Sequence, residues 1–132
     1  MAQDARRVPG RRIFCIALNY AAHAREMGKD PAKGGDAEPP VFFSKPADAV
    51  VESGATIPYP TLTHNLHHEI ELVAALCKGG ADIPAERALD CVFGYAAGID
   101  LTRRDLQTAA RSAGWPLDMS KGFDHSPPIG SI

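Results

Sequence analysis

Residues 66–77 read LHHEIELVAALC, the best strand signal in the chain. Aliphatic and polar residues alternate here, which gives a strand two unlike faces. Side chains two apart on a strand share a face. On that rule Ile70, Leu72 and Ala74 point into a core, and Glu69 and Glu71 point together into the opposite space. Two carboxylates at this spacing repel unless a cation lies between them. Taken alone, the pair fits an ordinary exposed strand face equally well.

Working outward, the apolar runs Ile13 to Leu18, Val41 to Ser44 and Cys91 to Ile99 read as further short strands. Pro46 stops the second ladder. Asn19 can cap a short helix over Tyr20 to Met27, and Gly28 can end it. Asp82 is placed to cap a second helix reaching about Asp90, with Pro84 in its first turn. Thr102 with Asp105 resembles a capping box for a third, Arg103 to Ser112, which Gly114 ends. Residues 28–40, GKDPAKGGDAEPP, form a Pro- and Gly-rich loop of the kind that serves as a lid, and 115–132 read as loop. Residues 1–12 read as a flexible charged arm.

The chain has 132 residues, 45% of them hydrophobic, which suits one compact domain with a real core. A net charge of −2 gives no reason to expect nucleic acid as a partner. The basic cluster Arg6, Arg7, Arg11, Arg12 reads as a solvated arm. No apolar run approaches the roughly 20 residues of a membrane span, and no signal peptide is visible. The three cysteines, Cys15, Cys77 and Cys91, sit in apolar runs without a Cys-x-x-Cys pair. They read as buried free thiols, which suits a cytoplasmic setting.

Asp100 adds a carboxylate to the acidic pair. It is expected to end the Cys91–Ile99 strand, just before the third helix, where a polar side chain is presented at a sheet edge. Three carboxylates without paired cysteines favour a hard, oxygen-preferring ion such as Mg²⁺, Mn²⁺ or Ca²⁺. His67 and His68 adjoin the pair and read as solvated or supporting imidazoles.

Five segments, NYAAHAREMG, PPVFFSKP, LHHEIELV, GYAAGIDLTRRDLQ and KGFDHSPPIG, come in this order along residues 11–130. In content and spacing they resemble the fumarylacetoacetate hydrolase family, with the greatest likeness to its fumarylpyruvate and acylpyruvate hydrolase branch. The resemblance implies an α+β, mainly β fold. Residues 13–132 would form the N-terminal portion of one mixed β-sandwich roll, incomplete in this chain. It implies that Glu69, Glu71 and Asp100 bind a divalent metal, Mg²⁺ first. It implies that His23 and Glu26 activate water, that Lys121 contacts substrate beside the metal, and that Tyr20, Lys45, Arg104 and Gln107 reach the substrate. The implied activity is hydrolysis of a carbon–carbon bond in a β-diketo acid such as fumarylpyruvate, by a homodimer. Decarboxylation of an oxaloacetate-like acid, isomerisation of a keto acid, and a non-catalytic metal-binding remnant are the alternatives.

The residues agree with these roles. His23 and Glu26 are neighbours three apart on a helix, as are Arg104 and Gln107. A carboxylate beside an imidazole orients it as a general base. Without the resemblance, each pair and both lysines would read as ordinary surface. The chain departs from the family where Ala17-Leu18 precede Asn19-Tyr20, a position often held by Gly-Arg. It departs again at Trp115-Pro116-Leu117, where Pro-Trp is common.

Overall fold

A computed structural model describes residues 10–26, 28 and 39–132, with the side chains of His23 and Glu26 outside the description. Most of the expected arm and of the 28–40 lid therefore lies outside the described residues. The fold is α+β and mainly β, as expected. Strand β1 (Ile13–Ile16) pairs antiparallel with β2 (Phe42–Lys45) as a two-stranded sheet, and helix α1 (Ala21–Glu26) lies between them in sequence. β1 stops before Leu18 because that residue takes a left-handed backbone, φ 58°, which no strand accommodates.

The larger sheet has the order β3 (Val51–Glu52), β6 (Pro128–Ile129), β5 (Val92–Arg103), β4 (Leu66–Leu76). Its body is the long antiparallel β4–β5 ladder, in register from Leu66↔Arg103 to Leu76↔Val92 with a bulge after Ala75. Gly98 is needed in this ladder. A Cβ there would stand 2.6 Å from the Val73 side chain. Helix α2 (Arg104–Ala113) follows β5 directly and ends on Gly114 at φ 69°, the left-handed cap that glycine adopts without strain.

Several expectations change. The 82–90 helix is a 3₁₀ stretch over Ala85–Cys91. Asp82 does not cap it, because its φ of 52° turns the chain there and Pro84 takes the cap position without a side-chain bond. The Thr102–Asp105 capping box does not form: Arg103 is the cap residue. Asp105 instead accepts from Thr63 Oγ1 at 2.6 Å and the His64 amide at 3.0 Å, tying α2 to the loop before β4. The tail holds a short helix α3 (Asp118–Lys121) and β6.

The largest correction is the sidedness of β4. Glu69, Glu71 and Val73 face the interior, while Ile70 and Leu72 stand outward at 65% and 68% exposure. Phe93 and Tyr95 of β5 are exposed too. Alternation tells which residues share a face but not which face the rest of the chain covers. The apolar core among the described residues is small, with Leu101 and Phe123 its only large members. Polar residues dominate the buried set, among them Lys45, Asp100, Thr102, Gln107 and Lys121.

Candidate active site

In the β4–β5 register Glu69 stands opposite Asp100, and Glu71 opposite Gly98. Asp100 lies inside β5 and is not its last residue, since the strand runs on to Arg103. Glu69, Glu71 and Asp100 each turn a carboxylate oxygen inward, all within 4.8 Å of one another. An all-oxygen set of this kind fits a hard divalent cation.

Electrostatics bear on the same point. Glu71 is pushed above the ordinary carboxylate range by burial, and then by the neighbouring charges of Asp100 and Glu69. Burial also works to raise Glu69, but the Lys121 ammonium and the Arg104 guanidinium outweigh it and hold Glu69 at about 2. A cation would relieve Glu71, which has the least compensation of the three.

Lys121 comes from α3 and is 2% exposed. Its ammonium donates to Glu69 Oε2 at 2.7 Å, Asp100 Oδ2 at 2.6 Å and Thr102 Oγ1 at 2.6 Å. The short helix is held in place by Arg103, whose guanidinium carbon lies 4.3 Å from the Phe123 ring centroid and which donates to the Met119 carbonyl at 3.1 Å. Lys45 reaches the cluster from β2 and forms an ion pair with Asp100 Oδ1 at 2.8 Å. Burial holds its ammonium pKa below the ordinary lysine range, against the opposing pull of Asp100.

Arg104, at the first turn of α2, donates to Glu69 Oε1 and to the Gln107 side-chain oxygen. Its Nε donates to His67 Nδ1 at 3.3 Å, so His67 supports the arginine from the exposed end of β4. Tyr20 stands just before α1. Its hydroxyl accepts the Leu72 amide at 3.2 Å and is hydrogen-bonded to Glu71. It also borders an open depression of about 590 Å³ with Ile70, Leu72 and Tyr95.

The structure thus gathers Glu69, Glu71, Asp100, Lys121, Lys45, Arg104, Gln107 and Tyr20. Whether His23 and Glu26 join them depends on side chains outside the described residues, although α1 itself starts beside Tyr20. Two members were missed in the sequence. Thr102 shares a face with Asp100, so strand alternation past residue 100 would have found it. Cys15 lies near the cluster. Its thiol is pushed up to about 11 by burial and by the Asp100 charge.

This chain belongs to the family described as fumarylacetoacetate (FAA) hydrolase C-terminal, whose model it matches over residues 12–132. Among solved structures it is similar to fumarylpyruvate hydrolase from Pseudomonas aeruginosa, crystallised with Mn²⁺ and pyruvate. That match has a TM-score of 0.82 and 57% identity, covering 92% of this chain and 52% of the other. It is also similar to a 5-carboxymethyl-2-hydroxymuconate delta-isomerase from Mycobacterium smegmatis, with a TM-score of 0.75 and 35% identity over 94% of this chain and 46% of the other. Among curated proteins, a mitochondrial oxaloacetate tautomerase of Arabidopsis thaliana is 40% identical over 123 residues, or 93% of this chain and 53% of the relative. The chain spans about half the length of the curated relatives it matches. No helix among the described residues is long and apolar enough to cross a membrane.

Proposed function

We propose that this chain carries the carboxylate site of an enzyme that hydrolyses a carbon–carbon bond in a β-diketo acid such as fumarylpyruvate. The observation that carries this reading is the Glu69–Glu71–Asp100 cluster with the Lys121 ammonium bonded into it. Its similarity to a fumarylpyruvate hydrolase at 57% identity supports the choice of substrate class. Glu69, Glu71 and Asp100 would hold Mg²⁺ or Mn²⁺, which supplies a Lewis acid for the oxygens of a keto acid.

The remaining work falls to the chain's own groups. His23, oriented by Glu26, takes a proton from water, whose oxygen adds to the acyl carbonyl carbon. The carbon–carbon bond then breaks, its electron pair stays with the pyruvate methylene carbon, and that carbon takes up a proton. Lys121, paired with both Glu69 and Asp100, offsets the negative charge as it develops. Arg104 and Gln107, linked to each other, hold the substrate from the α2 side. Tyr20 fixes Glu71 and connects it to the start of α1.

A second reading is favoured by the relatives named as a tautomerase and an isomerase. Such a reaction moves protons and leaves the carbon skeleton whole. His23→Ala separates the two readings. Acylpyruvate hydrolysis should slow by roughly a hundredfold, the usual range for a lost general base. Oxaloacetate keto–enol exchange, run in parallel, should change much less. Equal losses in both would count against water activation at His23.

A further inference from the structure

Lys45 ends β2 and is 3% exposed. Its ammonium donates to the Leu101 carbonyl at 3.1 Å and to the Lys121 carbonyl, and it forms an ion pair with Asp100 Oδ1 at 2.8 Å. The Phe123 ring stands 5.6 Å from the same nitrogen. These partners belong to two of the elements that build the site, β5 with Asp100 and α3 with Lys121.

We propose that Lys45 is a positioning residue, which holds the Asp100 carboxylate through an ion pair at Oδ1 and the Lys121 backbone through its carbonyl, so that Asp100 stays aligned beside Glu69 and Glu71 in the cation site. A carboxylate rotates easily about its last torsion, whose preferences are broad. Fixing one oxygen fixes the other. Asp100 Oδ2 is the oxygen that Lys121 Nζ bridges to Glu69. Lys45, itself buried, therefore fixes the orientation of the Asp100 carboxylate within the cluster. The inference rests on reading Glu69, Glu71 and Asp100 as cation ligands.

The sign of the effect separates positioning from charge. Removing a nearby ammonium should, by Coulomb's law alone, tighten a divalent cation. Losing the alignment of a ligand should weaken it, typically by about ten- to a hundredfold for a residue that orients a metal ligand. Titration calorimetry with MnCl₂ as the only ligand would compare the wild-type chain with Lys45→Met, Asp100→Asn and the double variant, with folding checked by circular dichroism. The expected result is Mn²⁺ binding weakened about ten- to a hundredfold in Lys45→Met. In the Asp100→Asn background the same change should add nothing. Unchanged or tighter Mn²⁺ binding in folded Lys45→Met overturns the proposal.

If wild type does not bind Mn²⁺, or Asp100→Asn binds it equally well, the cation reading fails instead. The tie between Lys45 and Asp100 is then decided by urea unfolding of the same four proteins. Positioning predicts non-additive losses, with the double variant no less stable than Lys45→Met, because the carboxylate that lost one of its two cationic partners is gone. Additive losses overturn it. Should Lys45→Met fail to fold, the proposal requires Asp100→Asn to restore folding in the double variant, and an unfolded double variant overturns it.

Discussion

Glu69 and Asp100 face each other across the β4–β5 ladder, and the Lys121 ammonium joins them, 2.7 Å from Glu69 Oε2 and 2.6 Å from Asp100 Oδ2. Neighbouring strands supply the carboxylates and a four-residue helix supplies the cation. The arrangement is stable only while buried charges of both signs are present together.

Lys121→Met should expose that dependence. Breaking a buried pair by removing one partner leaves an uncompensated charge, and the loss should be about 3 kcal/mol in the presence of chelator. Adding Mn²⁺ should recover part of it, since the carboxylates then regain a positive partner. Urea unfolding with chelator and with Mn²⁺ measures both. A variant as stable as wild type in chelator would contradict the buried placement of Lys121.

Acid should undo the same link, with a defined sign. Glu69 is held at about 2, below its ordinary 4.5, so folding favours its charged form. That stability is fully present above about pH 4.5 and is lost as pH falls toward about 2. Glu71 is raised, so its charge disfavours the cation-free fold above its ordinary range. Glu69→Gln should flatten the acid limb of a stability–pH curve. Glu71→Gln should stabilise the cation-free chain at neutral pH. Parallel curves for wild type and both variants would contradict these assignments.

How much of this was legible in the sequence depends on range. The alternation in 66–77 placed β4 and put Glu69 and Glu71 on one face, because strand period is a local property. It did not tell that Ile70 and Leu72 face outward, because sidedness depends on what the rest of the chain covers. The residues single out Asp100 but end its strand too soon, which reads Thr102 as a helix cap when it is an acceptor for Lys121. α3 has four residues and no periodic signal to read. The contacts of Lys45 span 56 and 76 residues of sequence, which no local pattern encodes.

The outward apolar face gives a prediction about assembly. Ile70, Leu72, Leu76, Phe93 and Tyr95 are all exposed along β4 and β5, and β4 is an edge strand. Exposed apolar surface on an open edge recruits other chains. The chain on its own should self-associate in light scattering at micromolar concentration. Ile70→Thr with Leu72→Thr should reduce that association without weakening Mn²⁺ binding, because both side chains point away from the cluster. A monodisperse monomer of wild-type sequence would contradict the prediction.

If the three carboxylates hold a cation used in cleaving a β-diketo acid, pyruvate release from fumarylpyruvate must depend on both the cation and Asp100. Chromatography of the products with Mn²⁺, with chelator and in Asp100→Ala should give pyruvate and fumarate in Mn²⁺, little in chelator, and at least a roughly hundredfold slower release in Asp100→Ala, on the scale of a lost transition-state contact. Pyruvate release at an unchanged rate in chelator or in Asp100→Ala would contradict this reading, and so would conversion of fumarylpyruvate only to isomers with the carbon skeleton intact.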